Sequence, residues 1–167
     1  SIALGVKQQD SNLWKAIAGL KAAELFFRVV VGPASNAGQA KALLGRLRKL
    51  GKRVVGLALH GAAFGDGLMS ELTGLPGLRF LSLHQSRVTA RGLARLVDAA
   101  PGLETLMIYA ASPRKAGITD AGLAELSRLS RLQRLEVNGK QLSKKGLASL
   151  RKTKHLRVLS LTVTQLP

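Results

Sequence analysis

The chain has 167 residues, enough for one domain with a continuous core. It contains no cysteine, which excludes a disulfide framework and thiolate metal ligation. No apolar run reaches the roughly 18 residues of a membrane helix, and the expected compartment is intracellular, either cytoplasm or an organelle matrix. Lys and Arg number 26 against 9 for Asp and Glu, a net charge of +17. Such an excess bears on partners and solubility rather than on fold. It fits RNA, DNA, anionic lipid or an acidic protein as a partner, or a solvated exterior.

In chain order, Ser11 is placed to cap a helix over residues 12–23, with Leu13, Ile17 and Leu20 on one face and Trp14 beside them. Trp14 is then either a cover for an apolar end or a binding anchor. A strand is expected within residues 25–31, with Phe27 and Val29 facing inward. Ser35-Asn36-Ala37-Gly38 opens a helix over residues 37–50, which Gly51 terminates. The chain begins at Ser1 rather than Met, so a targeting segment could already have been removed.

From Val54 onward one spacing recurs. An L-x-x-L-x-L pattern runs through Val54, Leu57 and Leu59; Leu78, Leu81 and Leu83; Leu103, Leu106 and Ile108; Leu132, Leu135 and Val137; and Leu156, Leu159 and Leu161. Its starts are 24, 25, 29 and 24 residues apart. A second pattern is locked to the first: an apolar residue, a hydroxyl, two variable residues, Gly, then Leu. It spans Val88–Leu93, Ile118–Leu123 and Leu142–Leu147. Thr89, Thr119 and Ser143 are helix N-cap candidates, because a hydroxyl oxygen there accepts from an unpaired amide of the first turn. The recurring Gly92, Gly122 and Gly146 weaken a helix by about 1 kcal/mol each relative to Ala. Their retention predicts close approach to a neighbouring unit. Each unit is thus a strand, a turn and a helix that cannot bury its own apolar face and must stack.

Residues 54–167 resemble leucine-rich repeats of the subtype found in ribonuclease-inhibitor-like and F-box-type proteins. The resemblance implies an α/β fold: a right-handed solenoid with a parallel strand ladder on the concave face and helices on the convex face. The chain is then one domain over residues 1–167. Residues 1–24 form an N-terminal helical cap, 25–53 a degenerate repeat, and 54–167 five repeats. The last repeat is incomplete at Pro167, where the array continues or another chain covers the end. The Asn usual after each strand is replaced by Ala62, Ser86, Ala111 and Lys140, which predicts a weak turn ladder. Protein recognition is what the resemblance implies, without naming a partner.

Solvent positions on the concave face fall between the leucines. They are Gly56, Ala58 and His60; Phe80, Ser82 and His84; Thr105, Met107 and Tyr109; Arg134, Glu136 and Asn138; and Val158, Ser160 and Thr162. The expected protein-binding residues among them are His60, Phe80, His84, Met107, Tyr109, Arg134 and Asn138. Phe80, Met107 and Tyr109 are expected to form one apolar-aromatic patch. His60 and His84 occupy the same place in consecutive units, but a metal or proton-transfer pair lacks a third ligand, and none is assigned. No G-x-S-x-G or Walker-type motif occurs, so no catalytic residue and no cofactor are assigned. The third unit carries five extra residues within 110–117, a loop where Arg114 and Lys115 are contact candidates. Two acid-free basic stretches supply Lys41, Arg46, Arg48, Lys49, Lys52 and Arg53, then Lys144, Lys145, Arg151, Lys152 and Lys154. They favour the convex face and one rim. The expected function is a non-catalytic protein-binding scaffold or accessory subunit; the alternative is docking on RNA, DNA or another polyanion through that rim.

Overall fold

The computed structural model describes residues 2–6, 27–31, 36–110 and 118–163. Among the described residues eight strands form one parallel, open sheet: β1 (Ile2–Val6), β2 (Phe27–Val31), β3 (Val54–His60), β4 (Phe80–Ser86), β5 (Thr105–Ala110), β6 (Ile118–Thr119), β7 (Arg134–Gln141) and β8 (Val158–Val163). Between them run α1 (Ala37–Arg48), α2 (Asp66–Met69), α3 (Ala90–Ala99), α4 (Asp120–Leu126) and α5 (Lys144–Ser149). Single-turn 3-10 helices lead out of α1, α2 and α5 at Gly51–Arg53, Ser70–Gly74 and Leu150–Lys152. The architecture is mixed α/β. β1 to β5 pair in chain order, β5 then pairs β7, and β7 pairs β8. The two-residue β6 lies along the second half of β7, through Ile118 opposite Gly139, and so extends the row of β5 beyond residues 111–117.

The repeat spacing fixes the register. Leu57, Leu81, Leu106, Leu135 and Leu159 are successive cross-strand partners, as are Leu59, Leu83, Ile108, Val137 and Leu161. Strand side chains alternate, so this parity faces one side. It joins Leu43, Leu44 and Leu47 of α1, Leu93 and Leu96 of α3, and Leu123 and Leu126 of α4 in a single core. Each buried leucine contributes about 1.5–3 kcal/mol of transfer free energy. Leu57, Leu81, Leu106 and Leu135 are fully buried, whereas Leu159 in β8 is 43% exposed.

Adjacent helices pack through their starts, and here the glycines matter. A Cβ on Gly92 would lie 2.8 Å from the Cγ and 3.0 Å from the Cα of Asp66, the first residue of α2. On Gly146 it would lie 3.0 Å from the Cα of Asp120, the first residue of α4. At Gly122 it would instead meet Leu93 Cδ1 at 3.0 Å and Ile118 Cγ2 at 3.1 Å. Close approach was expected; the neighbour is a carboxylate in two cases of three. Asp66 Oδ1 accepts from the Thr89 amide at 2.7 Å, and its Oδ2 accepts from the Thr89 hydroxyl at 2.6 Å. Asp120 accepts from the amide and hydroxyl of Ser143 in the same way. Ala90 occupies the corresponding place before Thr119, and no such bridge forms there.

These bridges correct the capping expectation. Thr89, Thr119 and Ser143 are all N-caps, but only the Ser143 hydroxyl accepts from first-turn amides, those of Lys145 and Gly146. The Thr89 hydroxyl is spent on Asp66. Further corrections lie upstream. Ile2–Val6 is a strand, although the segment was expected to contribute only a helical cap. α1 begins at Ala37 as expected, capped by Asn36, whose side chain accepts from the Gln39 amide, and it ends at Arg48 rather than at residue 50. Val29 stands nine residues before Gly38, as Leu83 does before Gly92, yet it pairs with Leu57, and Val31 with Leu59, so the strand of this unit lies two residues later than that spacing implies. Gly51 does adopt the left-handed conformation expected after the helix, with φ +52. The helix expected over 12–23, with Trp14, lies outside the described residues.

Candidate functional site

The sheet face opposite the leucines carries the expected binding residues in three levels. Phe80, Thr105 and Arg134 stand at one level, with Val158 beside Arg134. Ser82, Met107 and Glu136 share the next, and His60, His84 and Tyr109 the third. Phe80, Met107 and Tyr109 do not share a level: they stand at successive ones, Phe80 diagonally across from Met107 on the adjacent strand and Met107 two residues before Tyr109. Nor is the whole face solvated: Gly56, Ser82 and Glu136 are buried, and the Ser82 hydroxyl has no hydrogen-bond partner. Phe80 and Met107 are half-buried, and Arg134 is exposed.

The third level is a column of stacked rings. His60 and His84 lie with centroids 4.5 Å apart and planes 7° from parallel. His84 and Tyr109 follow at 4.9 Å and 24°. The spacing is that of neighbouring strands, about 4.8 Å, so in-register rings stack without leaving the pleat. Each histidine ends its regular strand run. Gly61 after His60 has φ 115, and Gln85 after His84 has φ 53, the one non-glycine residue in the left-handed region among the described residues. Gln85 is the extra residue of a bulge, since Ser86 pairs with Ala110 after His84 pairs with Tyr109. A non-glycine residue held there costs about 1–2 kcal/mol. The turn after His84 is thus formed against local preference.

Glu136 anchors the end of the column. Tyr109 donates its hydroxyl hydrogen to Glu136 Oε2 at 2.6 Å, and Arg134 donates Nε–H to Oε1 at 2.6 Å. The hydrogen bond from Tyr109, then that from Arg134, holds the Glu136 carboxyl below its ordinary range. The same bond to Glu136 raises the Tyr109 phenol, with burial adding to it. Burial first, then the neighbouring His60, pushes His84 below its ordinary value of 6.5. The His84 ring is therefore neutral at neutral pH. Asn138, the last of the expected set, accepts the Ala110 amide at 2.8 Å and so ties β7 to the end of β5. Sequence reasoning placed Glu136 on this face but not in the site. The signal was available: a lone carboxylate in a strand, flanked by core residues and one strand from Tyr109.

The basic residues divide differently. Lys41 pairs with Glu71 at 3.6 Å, and Arg48 also pairs with Glu71, so a stretch without acids in sequence is compensated across units. Arg46 and Arg53 also have partners within the fold. Lys49, Lys52, Lys144, Lys145, Arg151, Lys152 and Lys154 are exposed. Arg114 and Lys115 lie outside the described residues. Among the described residues no group of three or more His, Asp or Glu is placed to hold a metal ion, and no helix is long and apolar enough to cross a membrane.

Compared with protein-family models and with curated proteins, the chain matches none.

Proposed function

We propose that the chain is a right-handed leucine-rich-repeat solenoid, with its sheet on the concave face and its helices on the convex face. It acts as a non-catalytic scaffold or accessory subunit that seats a protein on the sheet face. Parallel strands pairing in chain order and leucines buried in register support the repeat assignment. The functional reading rests on one observation, the His60–His84–Tyr109 column locked by Glu136 and Arg134. Ring faces filled by neighbouring rings, and a phenol hydrogen committed to a carboxylate, favour a fixed surface over an activated nucleophile. Rings already ordered lose little rotamer freedom on binding, which lowers the cost of association by about 0.5–1.5 kcal/mol for each side chain held in advance.

The test is quantitative capture on tagged full-length chain. The wild type is compared with His84→Ala/Tyr109→Ala, with folding checked by circular dichroism. A protein partner should be retained by the wild type and lost from a folded double variant. Equal retention by both would refute the assignment of the face.

A further inference from the structure

The seven carboxylates among the described residues are all engaged within the fold. Asp66 and Asp120 accept from Thr89 and Ser143. Glu71 is held by Lys41 and Arg48, Glu104 by Arg79, Asp98 and Glu125 by Arg128, and Glu136 by Arg134. The positive charge is not matched in the same way. After Glu136 the sequence has no further acid. Within that stretch Arg151, Lys152, Lys154 and Arg157 are exposed on the turn between α5 and β8. Arg131, also exposed, occupies the turn between α4 and β7 in the unit before. None of these five has an ion-pair partner among the described residues. Two neighbouring units therefore place five cations on one rim, at the starts of strands β7 and β8. The ring column stands at the opposite ends of the strands.

The surroundings of this rim identify the partner. Within the turn Leu150 and Thr153 are buried and Leu156 is half-buried, so its exposed side chains are the four cations and His155. Among the described residues the exposed large apolar side chains are Leu147 in α5 and Val158 and Leu159 in β8, with Val158 directly after Arg157. Protein interfaces are built around an apolar or aromatic core. Membrane-surface segments need an apolar face beside their charge. A nucleic-acid interface is polar and strongly positive, and most of its hydrogen bonds go to phosphate and sugar. Stacking on bases would need available rings, whereas His60, His84 and Tyr109 stack on one another on the other rim.

We propose that Arg131, Arg151, Lys152, Lys154 and Arg157 form a nucleic-acid-binding rim that grips phosphates without reading bases. It does not depend on the role assigned to the ring column. The experiment is fluorescence anisotropy of the full chain with a uridine 20-mer and a mixed-sequence duplex. With five phosphate contacts, affinity for the single strand should fall on the order of 10²-fold between about 50 and 200 mM salt. A variant with Arg151, Lys152, Lys154 and Arg157 each changed to Gln should bind at least ~10-fold more weakly at the lower salt, with a slope smaller by about 3. A charge-matched pair of variants separates the rim from net charge: Arg87→Gln/Arg91→Gln as the control should stay within about twofold of the wild type, whereas Arg151→Gln/Lys152→Gln should weaken binding several-fold. Scrambled duplexes should bind alike.

The proposal is overturned if the control weakens binding equally, which would mark diffuse attraction. It also falls if polyglutamate of equal charge competes as well as RNA, if anionic phospholipid vesicles are preferred, or if neither nucleic acid binds at the lower salt.

Discussion

Replacing Gly92 by Ala places a methyl group against Asp66, 2.8 Å from its Cγ and 3.0 Å from its Cα if nothing shifts. Ordinary carbon contacts need about 3.5 Å or more, so either α3 moves away from α2 or the carboxylate swings aside. Overpacking of this kind costs about 1–3 kcal/mol. Moving the carboxylate also forfeits the two bonds from Thr89, at about 0.5–1.5 kcal/mol each. The helix gains about 1 kcal/mol from Ala in place of Gly. The net expectation is a loss of about 1–5 kcal/mol. Gly122→Ala meets only the ends of two apolar side chains, which can shift, and the same helix gain leaves it near zero. Asp66→Ala combined with Gly92→Ala should recover part of the loss, with a coupling of about 1 kcal/mol. Urea unfolding followed by circular dichroism measures each single variant and the double variant against the wild type. Equal effects of Gly92→Ala and Gly122→Ala, or strict additivity in the double variant, would refute the role given to the Asp66 carboxylate.

Ser143→Ala removes both a helix cap and the hydroxyl donor to Asp120, leaving the amide donor in place, so it should cost about 1–2 kcal/mol, whereas Thr119→Ala, which has neither side-chain bond, should cost less than about 0.5 kcal/mol. Comparable losses in urea midpoints would contradict this. Gln85→Gly relieves a positive φ and should be neutral to stabilising by up to about 1 kcal/mol after glycine's greater unfolded-state freedom is counted, and a urea midpoint lowered by more than that would contradict strain at this position. His84 has its folded value depressed, so the unfolded chain takes up the proton first. Stability should therefore fall as pH drops from about 7.5 through 6.5 and level off below the folded value. His84→Phe keeps the ring stack but should flatten that slope. The depressed carboxyls of Glu136 and Asp120 act below this window, losing their contribution as pH falls through the acid range. An unchanged slope in the variant would remove His84 as its source.

The parts of the fold legible in sequence were those set by periodic burial. The L-x-x-L-x-L spacing identifies β3, β4, β5, β7 and β8 and their register, because a one-residue slip would turn every leucine outward. It also places His60 beside His84 and Tyr109. β1 was not legible because five residues carry no repeat signal. The register of β2 was not legible because a lone Gly38 marks where α1 begins and not how many residues separate that helix from its strand. The lateral bridges were missed because they join residues 23 apart whose partnership depends on stacking distance. Glu136 was undervalued for a similar reason. Its burial comes from Tyr109 and Arg134 folding over it, a tertiary effect that strand alternation alone reads as solvent exposure.

Carbethoxylation of the histidines by diethylpyrocarbonate, read by mass spectrometry, tests the central claim most directly. His60 and His84 belong to the ring column, while the exposed His155 lies on the turn before β8 and reports general reactivity. With a captured protein partner bound, labelling of His60 and His84 should fall severalfold while that of His155 is unchanged. Undiminished labelling of His60 and His84 in the saturated complex would contradict a partner seated on the sheet face.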